Sequence, residues 1–306
     1  MKTLQVFAVV FVCSLGMLPG PAIVKPAHLV AADKKESIPR FLQEISVTIQ
    51  AGRAEGSGVA FVREGTTFIW TAAHVVDGLR STREVIDPKT GGKRTIVEFR
   101  DAKVIKTLVE NGRTVGRVEM DAEIIRYSDF VHGQDLALLK VRKKDFIKTS
   151  SKFYLSDEIP ELGTRLLHVG SLLGSVGSNS MTSGIMSQHG RLISKKIYDQ
   201  TTVTAFPGSS GGGVYLADGQ YVGMLVRGAG EGFNLIVPVR RMRSWAKEVG
   251  VLWAIAPTIP MPSKEDLDRM PIEDVGAMFA GGGKGTKEFK FQIRMLDIPV
   301  AVSAKK

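Results

Sequence analysis

Small residues crowd a serine at Gly208-Ser209-Ser210-Gly211-Gly212, and this is where the sequence concentrates its capacity for covalent chemistry. A serine hydroxyl is a poor nucleophile at neutral pH, so it needs a base beside it and a third group to orient that base. Taken alone, the motif satisfies the G-x-S-x-G nucleophile elbow, whose mechanism requires the chain order serine, acid, histidine. All five histidines, His28, His74, His132, His168 and His189, precede Ser210, so that order has no base. An order of aspartate, histidine, serine would have to begin at Asp33, the one aspartate ahead of His74. The order that survives is histidine, aspartate, serine.

His74 is the candidate base, because Trp70-Thr71-Ala72-Ala73-His74 ends a β-rich run where a turn can present an imidazole. Asp135 is the preferred acid. It opens the apolar run Leu136-Ala137-Leu138-Leu139, where a carboxylate is buried and needs a partner such as His74. Asp129, six residues earlier, is its rival for the cleft. The other histidines read as ordinary surface or core residues. With a single cysteine, Cys13, the chain can form neither an intrachain disulfide framework nor a thiolate metal cluster, and no metal or cofactor is expected.

The elements that must carry these residues are short β-rich runs at 45–49, 58–62, 67–70, 95–99, 136–141 and 221–226. Turn signals such as Glu110-Asn111-Gly112 and Ala217-Asp218-Gly219 separate them. This spacing predicts an all-β sandwich or barrel. Residues 238–249, with Pro238 at their start and Gly250 after, predict a helix. Beyond Ala256 the composition turns to proline and glycine, and residues 251–306 read as a flexible tail with a short strand at 289–295. Its Gly281-Gly282-Gly283-Lys284-Gly285-Thr286 lacks the spacing of a phosphate loop. At the other end, the uncharged apolar stretch 4–18 is too short for a comfortable membrane span and predicts a signal peptide over residues 1–32. Residues 33–250 then form the folded domain. The 306 residues carry a net charge of +10, but the basic residues are scattered in twos and threes, which names no nucleic-acid partner.

Thr71-Ala72-Ala73-His74, Asp135-Leu136-Ala137-Leu138-Leu139 and Gly208-Ser209-Ser210-Gly211-Gly212, in this order, resemble the trypsin-like (chymotrypsin-fold) serine proteases. The cysteine-free, exported HtrA/Deg-like branch is the most similar. Met181-Thr182-Ser183-Gly184, Tyr221-Val222-Gly223-Met224 and Gly232-Phe233-Asn234-Leu235 extend the resemblance over roughly residues 45–250. It implies two six-stranded β-barrels with a triad of His74, Asp135 and Ser210 in the cleft between them. It further implies an oxyanion hole from the backbone amides of Gly208 and Ser210, with substrate lying as an added strand against Val226-Arg227-Gly228. Thr204, Phe206, Val226, Arg227 and Gly228 would line the substrate pocket. None of them is acidic, so a small or medium apolar residue before the cut is expected.

Two departures stand out: Ser209 occupies the place of an Asp or Asn in the family, and no PDZ module follows the domain. The resemblance implies an exported, periplasmic or secreted serine endopeptidase acting on polypeptides, among them unfolded ones, with an uncleaved anchor as the other reading of the leader. A catalytically inactive peptide-binding protein on the same fold is the alternative function.

Overall fold

A computed structural model describes residues 37–274, apart from positions 87, 89, 90, 111, 229 and 231. A short helix, α1 (Ile38–Glu44), leads into the first barrel. That barrel comprises β1 (Ser46–Ala51), β2 (Ala54–Arg63), β3 (Thr66–Thr71), β6 (Ala102–Glu110), β7 (Arg113–Ser128) and β8 (Leu136–Val141), closed in the order β1-β2-β3-β8-β7-β6. Between β3 and β6 lie a one-turn helix, α2 (Ala73–Val76), and a separate hairpin of β4 (Arg80–Ile86) and β5 (Lys93–Phe99). The run expected at 95–99 therefore belongs to this hairpin and not to a barrel wall. Central strands such as β3 and β8 are apolar on both faces because the barrel core takes one side and packed segments cover the other.

The second sheet contains β9 (Lys152–Phe153), β10 (Arg165–Leu172), β11 (Gly177–Ile193), β12 (Lys196–Thr201), β13 (Gly213–Leu216), β14 (Gln220–Gly228) and β15 (Asn234–Pro238). Its order is β13-β10-β11-β12-β15-β14-β9, and β14 also pairs with β13. Six strands thus close on themselves, with β9 added in parallel to β14. Closure leaves few exposed edges, as barrels require. Two six-stranded barrels follow, in agreement with the sequence. Helix α3 spans Val239–Glu248 and buries Met242 and Trp245; the residues predicted at its two ends, Pro238 and Val249, are its caps.

The expectation of a flexible tail needs correction for residues 251–274. Trp253 is only 2% exposed and meets Phe68 edge-on, with ring centroids 4.9 Å apart. Trp70 Nε1 donates to Ala254 O at 3.1 Å, and Arg63 donates to Trp253 O at 2.8 Å and Ile259 O at 2.7 Å. A single helical turn, α4 (Lys264–Arg269), follows. The chain then joins the end of β7: Tyr127 N donates to Ile272 O at 2.7 Å and Asp274 N to Tyr127 O at 3.1 Å. This strap needs no core of its own, because the first barrel supplies one. The strand expected at 289–295, and the leader at 1–32, lie outside the described residues.

Candidate active site

β3 ends at Thr71 and α2 begins at Ala73, so His74 sits on the first turn after a rigid barrel strand. Its Nδ1 lies 3.0 Å from both carboxylate oxygens of Asp135, and its backbone N–H donates to Asp135 Oδ1 at 3.1 Å. Asp135 is 1% exposed. Burial alone would push its carboxyl up, but the hydrogen bonds and charge of His74, with the charge of Arg227, outweigh it and hold the group below the usual carboxylate range. The carboxylate is thus an anion aimed at Nδ1, an arrangement that places the proton of a neutral imidazole on that nitrogen.

Asp129 does not compete. Its Oδ1 accepts from Val131 N at 2.9 Å and His132 N at 2.6 Å, closing a local turn in which the carboxylate serves its own loop. His168 is fully buried, donates from Nδ1 to Gly213 O at 2.9 Å, and is pushed down to about 4 by burial. It lies beneath the serine turn, where a Cβ at Gly212 would stand 2.6 Å from its Cε1.

Ser210 comes from the second barrel, on the turn that precedes β13. Ser57 N on β2 donates to Ser210 O at 2.7 Å, which ties this turn to the first barrel. A Cβ at Gly56 would stand 2.6 Å from Val75, the neighbour of His74, and 3.1 Å from Ser210 O. The serine backbone and the histidine helix therefore flank one glycine. The side chains of His74 and Ser210 are not hydrogen-bonded to each other.

Within residues 208–212 the amides divide in two. Ser209 N donates to Phe206 O at 2.9 Å, Gly211 N to Leu225 O at 2.8 Å and Gly212 N to Ser209 O at 3.0 Å. Gly208 N and Ser210 N have no acceptor among the described residues. In a trans peptide the N–H points opposite to the preceding carbonyl. Pro207 O accepts from Leu173 N at 2.7 Å and Ser209 O from Gly212 N, so both free amides point away from those inner contacts. Gly208 has φ 93°, and a Cβ there would lie 2.3 Å from Ser171 O, so only glycine fits. Ser209 is buried, and its Oγ accepts from Phe206 N at 3.1 Å, closing the turn in place of the family's Asp or Asn.

Beside Ser210 lies a cavity of about 340 Å³, lined by Phe206, Leu225, Val226, Arg227, Gly228 and Asn234 among others. Of the five residues expected there, Phe206, Val226, Arg227 and Gly228 are brought to it. Thr204 is not a lining residue; its carbonyl accepts from Thr182 Oγ1 at 3.0 Å.

Sequence reasoning missed Ser57, whose Oγ donates to Gly208 O at 2.7 Å while accepting from Ser171 N at 2.7 Å, a brace behind the serine turn. It also missed Arg241, Ser128 and Asp274, which contact the Asp135 loop. Only the Gly56-Ser57-Gly58 run hinted at the first; Arg241 and Asp274 are distant in sequence from Asp135, and no motif marks the nearby Ser128.

Among the described residues no helix is long and apolar enough to cross a membrane, and no three His, Cys, Asp or Glu side chains are grouped to hold a metal ion. The profile of the trypsin-like peptidase domain matches residues 56–224. The chain is 28% identical over 177 residues to the serine protease Do-like HtrA of Lactobacillus helveticus, covering 56% of this chain and 35% of that one. A sequence from Pseudomonas fulva named "Probable periplasmic serine endoprotease DegP-like" is 35% identical over 115 residues, covering 37% and 22%. The chain spans 22% to 59% of the length of the curated relatives it matches. The crystal structure of the serine endoprotease from Yersinia pestis shares the fold at a TM-score of 0.50, with 20% identity over 70% of this chain and 65% of that one. The profile covers more than half of the 306 residues, and the chain belongs to the trypsin-like peptidase family, with its similarities falling in the HtrA/Deg branch.

Proposed function

We propose that the protein is a serine endopeptidase that cleaves polypeptides through His74, Asp135 and Ser210. The observation that carries this reading is the double contact of Asp135 with His74 Nδ1 at 3.0 Å, facing a serine turn whose two free amides flank the nucleophile. His74 Nε2 takes the proton of Ser210 Oγ as that oxygen attacks the scissile carbonyl, and a tetrahedral intermediate forms. The amides of Gly208 and Ser210 stabilise its oxyanion, and His74 returns the proton to the leaving amine, leaving an acyl-enzyme. Water then attacks the ester with His74 again as base. Throughout, Asp135 stays ionised and stabilises the imidazolium.

Substrate pairs as an extra strand with residues 226–228, and the apolar side of the cavity beside Ser210 takes a small or medium apolar side chain before the cut. The folded domain includes the strap through Asp274. Export follows from the N-terminal pattern, and the DegP-like relative carries a periplasmic name. The test is hydrolysis of an unfolded protein substrate. Ser210→Ala should lower turnover by about 10⁶-fold while leaving peptide binding intact. A folded wild type that binds peptides but cleaves none would instead identify a binding protein.

A further inference from the structure

Asp135 has φ 58°, in the left-handed region that a non-glycine residue adopts only where its surroundings impose it. The loop that delivers it is tied down by contacts from the second barrel and the C-terminal strap. Arg241, on α3, donates from Nη2 to Gln134 O at 2.6 Å and from Nε to Gln134 Oε1 at 2.8 Å. Lys196 Nζ, on β12, donates to Val131 O at 2.9 Å, and Arg227 Nη2, on β14, to Phe130 O at 3.4 Å. The guanidinium of Arg241 also lies 4.6 Å from the centre of the Tyr198 ring. Among the described residues none of these three cations has a carboxylate within ion-pair distance, and Asp135 is the anion whose field they share.

The opposite side is tied through hydroxyl and carboxylate. Gln134 N donates to Ser128 Oγ at 2.6 Å, so the one proton of Ser128 is left to donate to Asp274 Oδ2, at 2.6 Å. Trp245 Nε1 donates to the same Asp274 oxygen at 2.7 Å. Arg241 and the Ser128–Asp274 pair meet at Gln134, the residue next to Asp135. Charged donors on backbone carbonyls are among the stronger hydrogen bonds available to hold a loop.

We propose that Arg241 and Asp274 are positioning residues for Asp135, so that the part of the chain beyond the matched peptidase profile sets the geometry of the triad. This rests on the reading of Asp135 as the group that orients His74. Without Arg241 the Gln134 carbonyl loses its anchor, the strained φ of Asp135 relaxes, and the carboxylate leaves Nδ1.

The experiment pairs kinetics with hydrogen exchange on the full chain. Arg241→Gln should lower kcat by about 10²-fold with little change in KM, the cost of misplacing a catalytic group by about 1 Å. Arg241→Lys, which keeps the charge and one donor, should recover part of that loss, and Asp274→Asn should mirror it more weakly. In an Asp135→Ala background, Arg241→Gln should change kcat by less than about threefold, because residues acting as one unit are not additive. Amides of residues 130–135 should exchange roughly tenfold faster or more in Arg241→Gln, while the barrel strands keep their protection. Equal losses in the two backgrounds, or unchanged exchange in a folded Arg241→Gln, would overturn the proposal. Faster exchange with unaltered kcat would keep Arg241 as a brace of the loop and refute Asp135 as the orienting acid.

Discussion

Replacing Trp253 by alanine probes whether the strap after α3 is part of the folded body. The indole is 2% exposed and sits against Phe68 at 4.9 Å and Phe61 at 6.3 Å, with its Nε1 lacking an acceptor. Large-to-alanine substitution of a buried aromatic costs about 3–5 kcal/mol. The unpartnered N–H already detracts from the native state, so the lower end of that range, about 3 kcal/mol, is expected. A body of more than 200 residues loses about 2–4 °C of Tm per kcal/mol, which places the fall near 10 °C. Ile259→Ala, in the same strap but 38% exposed, should cost less than about 1 kcal/mol. Thermal melting followed by circular dichroism, with urea unfolding as a second probe, reads both. A fall below about 2 °C for Trp253→Ala would refute the packing argument and return residues 251–274 to the status of a tail.

Asp135→Asn should lower kcat by about 10⁴-fold, because the amide leaves His74 in the wrong tautomer, whereas Asp129→Asn should stay within about threefold; steady-state kinetics of both variants decide the acid. A collapse with Asp129→Asn instead would reverse the assignment. His168 supplies a pH dependence that is separate from catalysis. Its folded-state value of about 4 lies below the ordinary 6.5, so the native state binds fewer protons, and the stability present above pH 6.5 drains away as pH falls toward 4. The loss amounts to about 3 kcal/mol over that window, and urea midpoints in His168→Gln should show a correspondingly flatter pH profile. A parallel profile would exclude His168 as the titrating group.

The barrel architecture and the pairing of Asp135 with His74 were legible because both rest on local signals. Trp70-Thr71-Ala72-Ala73-His74 ends a β-rich run, and Leu136-Ala137-Leu138-Leu139 marks a buried strand opened by Asp135. The helix at 239–248 was legible because proline and glycine mark its ends. What escaped depends on contacts between distant residues. Proline-rich composition after Ala256 concealed a strap whose core is borrowed from Phe61, Phe68 and Trp70, which no local pattern reports. Arg240-Arg241 looked like a solvated basic pair, yet Arg240 pairs with buried Asp199 at 2.5 Å and Arg241 anchors Gln134. Thr204 was expected in the pocket, but it lies in a segment outside any strand whose carbonyl is held by Thr182 Oγ1 at 3.0 Å, a contact no local pattern reports.

The central claim is that Ser210 is the nucleophile activated by His74. Its most direct measurement is peptide mapping by mass spectrometry after treatment with a fluorophosphonate. A single phosphonyl adduct is expected on Ser210, absent in Ser210→Ala and formed several orders of magnitude more slowly in His74→Ala. An adduct on Ser209 or another serine, or an unlabelled Ser210 in folded protein that still binds peptides, would contradict it.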